Sequence, residues 1–258
     1  MNAEYKAFIE QLGRLAGEVI RPYFFNPALA VELKTDASPV TVADRRAEEV
    51  IRAAINRRYP GHGIIGEEYG NENPGAEFVW VIDPIDGTVS FTAGVPLFGT
   101  LIGLLHCGKP VLGLIYQPII DQMCVGDNHT TTLNGRPIRV RDTADLAAAT
   151  LLATDVNNIE KYQSVAAFDR LRHQVKTFRT WGDCYGYLLL AAGLTDIMLD
   201  PIMNPWDLLP LIPVIRGAGA LITAWDGTDI LTATSTVAAT PALHPQVIKY
   251  LRENTSPA

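Results

Sequence analysis

Trp80-Val81-Ile82-Asp83-Pro84-Ile85-Asp86-Gly87-Thr88-Val89-Ser90-Phe91 is the stretch on which the reading of this chain turns. The apolar run Phe78 to Ile82 reads as a buried strand that delivers two carboxylates, a turn and a hydroxyl at its carboxyl end. Pro84 locks its own backbone angle and Gly87 permits a tight turn with exposed backbone groups, so Asp83 and Asp86 are able to face one point. Carboxylates held together repel and shift their own protonation unless a cation neutralises them, and hard oxygen ligands suit magnesium. A plain turn is the competing reading, since Asp, Pro and Gly are ordinary turn residues.

Two further acidic strings flank this stretch. Gly66-Glu67-Glu68 follows the apolar pair Ile64-Ile65, and Pro205-Trp206-Asp207 stands far downstream before an apolar segment. The Gly-Glu-Glu, the Asp-Pro-Ile-Asp-Gly-Thr and the Trp-Asp, in this order and spacing, resemble the motifs of the inositol monophosphatase family of magnesium-dependent phosphatases. The resemblance spans most of the chain. It implies a sugar-phosphatase fold, with an α+β amino-terminal half (1–142) carrying most metal ligands and an α/β carboxy-terminal half (143–258) carrying Asp207 and the substrate-selecting residues. The two halves would stack as alternating layers of helices and sheets, with the site at their junction.

The same resemblance implies that Glu67, Asp83, the carbonyl of Ile85, Asp86 and Asp207 hold two or three Mg2+ ions. Glu68 reads as a neighbour or surface residue. Asp44 and Thr88 would orient and deprotonate the attacking water, with Glu67 also among the catalytic residues, and the Gly87 and Thr88 amides would hold the phosphate. Phosphate-ester hydrolysis needs neutralised equatorial oxygens, a nucleophile and a stabilised leaving oxygen, which a multi-metal cluster provides without a covalent nucleophile.

The chain has 258 residues, enough for one large domain or two joined halves. Its formal net charge of -7 argues against a nucleic-acid surface, which needs clustered Lys and Arg. The three cysteines, Cys107, Cys124 and Cys184, include no Cys-x-x-Cys pair, so a reducing cytoplasm fits better than a disulfide framework. Charges interrupt the first twenty residues at helical spacing, and Gly87 to Gly108 is broken by Gly, Pro and Thr; neither predicts a membrane span. The expected partner is a small phosphorylated substrate, and the resemblance implies a homodimer.

Residues 31–44 read as a strand, a turn at Asp36 to Pro39 and the start of a helix, with Thr41 and Asp44 in a capping arrangement. Asp44 is therefore either a cap or, by resemblance, a residue that positions the water. Lys34 reads equally as a solvated lysine or a phosphate contact. Val50, Ile51, Ala54 and Ile55 form the expected buried stripe of the helix, and Tyr69 to Ala76 reads as an exposed loop. A hairpin is expected through Cys107-Gly108, and a turn at Asn134-Gly135. His106, His129 and His173 have no partner at ligand spacing and read as core or surface residues. The second half predicts a strand at Thr150 to Thr154 and a helix from Ile159 to His173. A strand near Val175, a helix over Gly182 to Gly193, a strand at Ile197 to Leu199 and a helix over Leu208 to Arg216 follow.

Two strings bear on the substrate. Pro96-Leu97-Phe98-Gly99-Thr100-Leu101-Ile102 and Arg179-Thr180-Trp181-Gly182-Asp183-Cys184-Tyr185-Gly186-Tyr187 resemble the histidinol-phosphate phosphatase branch, which implies histidine biosynthesis. Asp183 and Asp200 would then be acceptors for a cationic leaving group, with a helix cap as the alternative for Asp183. Glu67, Ile85, Asp86, Gly87, Thr88 and Asp207 complete the expected substrate contacts. Val89 and Leu208-Leu209-Pro210 depart from that branch, so inositol monophosphatase or a broader sugar phosphatase is the alternative. A noncatalytic member would have lost a ligand, and each expected ligand type is present.

Overall fold

Phe8, Ile9, Leu12, Ala16 and Ile20 recur at helical spacing, and all are buried along one face of α1 (Ala3–Ile20). Each large side chain in such a stripe contributes roughly 1.5–3 kcal/mol when withdrawn from water. The computed structural model describes residues 3–33 and 39–252, so Lys34 and most of the turn expected at Asp36 to Pro39 lie outside the described residues. After α1 come β1 (Val31–Leu33), β2 (Pro39–Thr41), α2 (Val42–Arg58), β3 (Gly63–Gly66), β4 (Gly70–Glu72), β5 (Phe78–Asp86) and α3 (Thr88–Thr92). A run of strands follows: β6 (Gly99–His106), β7 (Lys109–Gln117), β8 (Gln122–Gly126), β9 (Thr131–Leu133) and β10 (Arg136–Ile138). The remainder alternates: β11 (Thr150–Ala153), α4 (Val156–Tyr162), α5 (Val165–Arg172), β12 (Thr177–Arg179), α6 (Asp183–Ala191) and β13 (Ile197–Asp200). It closes with α7 (Pro205–Leu208), α8 (Leu211–Gly217), β14 (Leu221–Thr223), β15 (Thr236–Ala239) and α9 (His244–Arg252).

An eight-stranded sheet runs in the order β10-β9-β8-β7-β6-β5-β3-β4, and a five-stranded sheet in the order β12-β11-β13-β15-β14. One face of the larger sheet packs against α1 and α2 through Ile51, Ile55, Trp80, Ile102 and Leu114. Its other face shares a second core with α6, α8 and the smaller sheet, through Leu101, Ile115, Leu188, Ile212, Leu152 and Met198. Beyond the smaller sheet, Leu151, Leu199 and Val237 pack on Phe168 of α5 and Val247 of α9. Helices and sheets therefore alternate in layers. No described helix is long and apolar enough to cross a membrane.

A row of glycines sets the spacing of the middle layer. Gly103, Gly113 and Gly126 are register partners on β6, β7 and β8, and α8 lies against them. A Cβ at Gly113 would stand 1.9 Å from the Pro210 carbonyl oxygen. Only a side-chain-free row admits a helix backbone this close, and the segment so seated carries Asp207 just upstream.

Several local expectations change. The central strand runs past Ile82 to Asp86. The Tyr69 to Ala76 loop contains the short edge strand β4. The buried face of α2 is Ala43, Asp44, Ala47, Glu48, Ile51 and Ile55, with Val50 and Ala54 half-buried at its edge. The helix expected over Ile159 to His173 is broken at Gln163, and Ser164 caps a new helix by accepting from the Ala167 amide at 3.3 Å. The Leu208 to Arg216 segment splits at Leu209-Pro210 into α7 and α8, so Asp207 lies inside α7. The smaller sheet is mixed, since β15 pairs antiparallel with both β13 and β14.

Candidate active site

Asp83 and Asp86 are three residues apart, and in a regular strand an odd spacing puts two side chains on opposite faces. The pairing of β5 with β6 resolves this. Asp83 pairs with Leu101 and Asp86 with Gly99, so one extra residue is accommodated in β5 as a bulge that re-phases the strand. The Thr100 hydroxyl donates to the Pro84 carbonyl at 2.8 Å and holds the bulge, while the Ile85 amide donates to Asp83 Oδ1 at 3.0 Å. Carboxylate oxygens of Asp83, Asp86 and Asp207 consequently all lie within 4.8 Å of one another.

Asp207 reaches this point from α7, where it is also the third residue of a capping box and accepts from the Asn204 amide at 2.9 Å. Cap and cluster member are one residue. Glu67 sits just past β3, its amide donating to the Ile82 carbonyl at 3.1 Å, and its side chain shares a hydrogen bond with Asp83. Asp86 accepts in addition from the Cys184 amide at the amino end of α6.

Burial and mutual repulsion push the protonation of Asp83, Asp86 and Asp207 upward. Asp83 is raised well above the usual carboxylate range by desolvation and then by Glu67, Asp86 and Asp207; Asp86 is raised by desolvation and then by Asp183 and Asp207. Among the described residues no Lys or Arg pairs with Asp83, Asp86 or Asp207. Uncompensated all-oxygen donors of this kind, Asp83 buried and Asp86 and Asp207 half-buried, fit a hard divalent cation, which would supply the missing positive charge.

Thr88 begins α3 after Gly87, whose backbone is left-handed at φ 89°. The Thr88 hydroxyl donates to the Ile85 carbonyl at 2.9 Å and lies 3.5 Å from Asp44 Oδ1. The other Asp44 oxygen is taken by Thr41, so Asp44 both caps α2 and faces Thr88. Burial raises the Asp44 carboxyl above its ordinary range.

A cavity of about 490 Å³ opens beside the cluster. Asp86, Asp155, Asp183, Asp200 and Asp207 line it, and Lys161 is the one Lys or Arg among the described lining residues. Asp183 is not the cap of α6: Gly182 holds that position, and Asp183 is the first helical residue, at the left-handed φ of 50°. Its amide donates to the Thr154 hydroxyl at 2.8 Å, and a Cβ on Gly87 would stand 2.9 Å from its carboxylate. Asp200 is buried at the end of β13, accepts from the Tyr187 hydroxyl at 2.8 Å, and has its carboxyl pushed up to about 7 by desolvation. A more open groove beside α9, lined by Gly227, His244 and Ile248, carries no carboxylate.

Some contributors were not singled out in the sequence. Glu48 is fully buried on α2, pairs with Arg52 at 2.7 Å, and accepts from the Glu68 and Tyr69 amides at 2.8 and 3.2 Å, fixing the turn that carries Glu67. A glutamate within the apolar stripe, with Arg four residues on, was the available signal. Asp155 and Lys161 left no comparable signal, because α4 comes to the cavity through tertiary packing; Tyr187 stands in the Arg179–Tyr187 string, but its bond to Asp200 is set by the fold.

The layered fold and the acidic cluster together define a metal-site phosphatase architecture. The inositol monophosphatase family model matches residues 1–256, and the chain belongs to that family of enzymes that hydrolyse phosphate esters. It is 45% identical over 233 residues to the bifunctional phosphatase IMPL2, chloroplastic, of Arabidopsis thaliana, covering 89% of this chain and 67% of that protein. It is 39% identical over 210 residues to a histidinol-phosphatase of Chlorobaculum parvum, covering 81% of each. A solved inositol monophosphatase from Zymomonas mobilis superposes with a TM-score of 0.84 at 36% identity, covering 95% of this chain and 96% of that one.

Proposed function

We propose that this chain is a magnesium-dependent phosphomonoesterase that hydrolyses histidinol phosphate to histidinol and phosphate. The observation that carries the substrate is the cavity beside the cluster, lined by Asp155, Asp183 and Asp200 with Lys161 as the one Lys or Arg among the described lining residues. An acidic pocket favours a leaving alcohol that carries cationic nitrogen, and charge-assisted hydrogen bonds to carboxylates would orient it. The similarity to a histidinol-phosphatase supports the same reading.

Glu67, Asp83, the Ile85 carbonyl, Asp86 and Asp207 would hold the magnesium ions, two or three in number. Bound magnesium would supply Lewis-acid neutralisation of the phosphate oxygens. Thr88 would accept a hydrogen bond from the attacking water and relay its proton to Asp44 Oδ1, 3.5 Å away. The Gly87 and Thr88 amides, at the start of α3, would hold the phosphate. Asp183 and Asp200 would meet the leaving alcohol. In this reading the chain divides near residue 142 into a metal-holding half and a substrate-selecting half, and works as a homodimer in the cytoplasm.

Phosphate release at matched concentrations of histidinol phosphate, inositol 1-phosphate and fructose 1,6-bisphosphate tests the substrate, read as a ratio of specificity constants. Preference for histidinol phosphate by tenfold or more is expected; equal rates or preference for inositol phosphate would refute it. Asp83→Asn or Asp207→Asn should remove nearly all turnover with little loss of folding, and near-normal rates in either would overturn the metal assignment. Inositol monophosphatase activity is the second reading, favoured by the close superposition on the Zymomonas mobilis enzyme.

A further inference from the structure

At the other end of β5, roughly 20 Å from the acidic cluster by strand rise, three side chains of different chemistry converge. Glu77 precedes β5, His106 ends β6, and Cys107 opens the two-residue turn into β7. One ligand atom from each lies within 4.8 Å of the others. Reading the histidine alone missed this, because Glu77 is distant in sequence and is brought opposite His106 only by the antiparallel pairing of Phe78 with His106.

We propose that Glu77, His106 and Cys107 form a second metal site, for a borderline divalent cation of the zinc class. The donor set is one carboxylate oxygen, one imidazole nitrogen and one thiolate sulfur, which suits zinc and not magnesium. The two sites are thereby sorted by ligand hardness, all oxygen at the cluster and N/S/O here. Three protein ligands leave a fourth tetrahedral position for water. Ligand atoms around a tetrahedral zinc stand roughly 3.3–3.7 Å apart, so small side-chain rotations from the observed arrangement suffice.

The ligands are held in place independently of any ion. His106 Nε2 is 3.0 Å from Glu77 Oε1, and the imidazole stacks on Phe78 with centroids 4.6 Å apart. The Cys107 amide donates to the Glu77 carbonyl at 2.7 Å, tying the turn to the strand that carries the carboxylate. Cys107 and Gly108 have φ of 49° and 75°, the type I′ hairpin geometry in which Asn-Gly or Asp-Gly is the favoured pair. A cysteine at the first of these positions is a poor choice for the turn, and here it presents a thiol beside His106. Binding replaces the thiol S–H bond by a metal–sulfur bond and releases the proton to solvent.

The test is a cobalt(II) titration of the full chain kept in excess magnesium, followed by optical absorption and by zinc displacement. One equivalent of cobalt with a thiolate-to-cobalt charge-transfer band is expected, lost in Cys107→Ser and weakened at least tenfold in His106→Ala, with magnesium-supported phosphate release unchanged in both. A wild-type protein without the band overturns the proposal. So does a band that persists in Cys107→Ser, which would place the metal on Cys124 or Cys184, or zinc binding equal in wild type and Cys107→Ser.

Discussion

Asp44 divides its two oxygens between two tasks: Oδ2 accepts from the Thr41 amide and hydroxyl at 2.8 and 2.6 Å, while Oδ1 faces the Thr88 hydroxyl at 3.5 Å. A helix cap thus aims a carboxylate at the hydroxyl that precedes the candidate site. One rotamer serves the cap and leaves the second oxygen beside Thr88.

That division separates two variants. Asp44→Asn keeps a capping oxygen but loses the proton acceptor, so kcat should fall about 100-fold or more with a small change in melting temperature. Thr41→Ala should cost about 1 kcal/mol of stability and reduce kcat far less. Steady-state kinetics with thermal unfolding measure both, and the reverse order would count against a proton-accepting role.

Glu48 makes a different prediction, because it holds the turn that carries Glu67. Glu48→Gln leaves Arg52 without its buried partner and the Glu68 and Tyr69 amides with one acceptor oxygen fewer. A loss of roughly 3 kcal/mol is expected. The magnesium concentration for half-maximal activity should rise several-fold, while kcat at saturating magnesium stays within about twofold of wild type. An unchanged magnesium dependence would show that the turn holds Glu67 without Glu48.

Close backbone contact at Gly113 predicts that Gly113→Ala is destabilising by about 3 kcal/mol, since the new Cβ meets the Pro210 carbonyl and not a movable side chain. Displacement of this segment should also shift Asp207 and lower kcat. Gly61→Ala, where nothing lies within 4 Å, should stay within about 0.5 kcal/mol of wild type. Equal melting temperatures for the two variants would refute the close-packing account.

Acid stability of the metal-free protein follows from Asp200. Its folded carboxyl is raised to about 7, above an unfolded value near 3.9, so its stabilising contribution is complete below the unfolded value and is lost as pH rises through about 7. Asp200→Asn removes that dependence while retaining an acceptor for the Tyr187 hydroxyl. Thermal unfolding in chelator should therefore show the variant gaining on wild type from about pH 4 to pH 7 and levelling off above that. A pH-independent difference would contradict the buried charge.

Much of this architecture is legible without coordinates, and the limits are specific. Periodicity places α1, the start of α2, β6 and β7 because burial on one face imposes a repeat on the local sequence. It does not separate α4 from α5 or α7 from α8, where a cap or a proline interrupts a pattern that still reads as helical. β4, β14 and β15 are not expected from the sequence: β4 is an exposed edge strand of Gly, Asn and Glu, and β14 and β15 are short pieces without an α-helical pattern between them to mark them.

The chain by itself singles out the candidate site residues: the Asp83 to Thr88 string, the glutamate turn and Asp207 are concentrated, unusual and local. Tertiary structure alone decides their geometry. A one-residue bulge against β6 puts Asp83 and Asp86 on one side, and a glycine row across three strands seats the helices that bring Asp207 to them. Pairing of β5 with β6 likewise sets Glu77 opposite His106 and Cys107. The physical reason is the same in each case: a side chain's local preferences fix its own backbone, whereas convergence depends on the register of segments far apart in sequence, which is set by the sum of the core contacts between them.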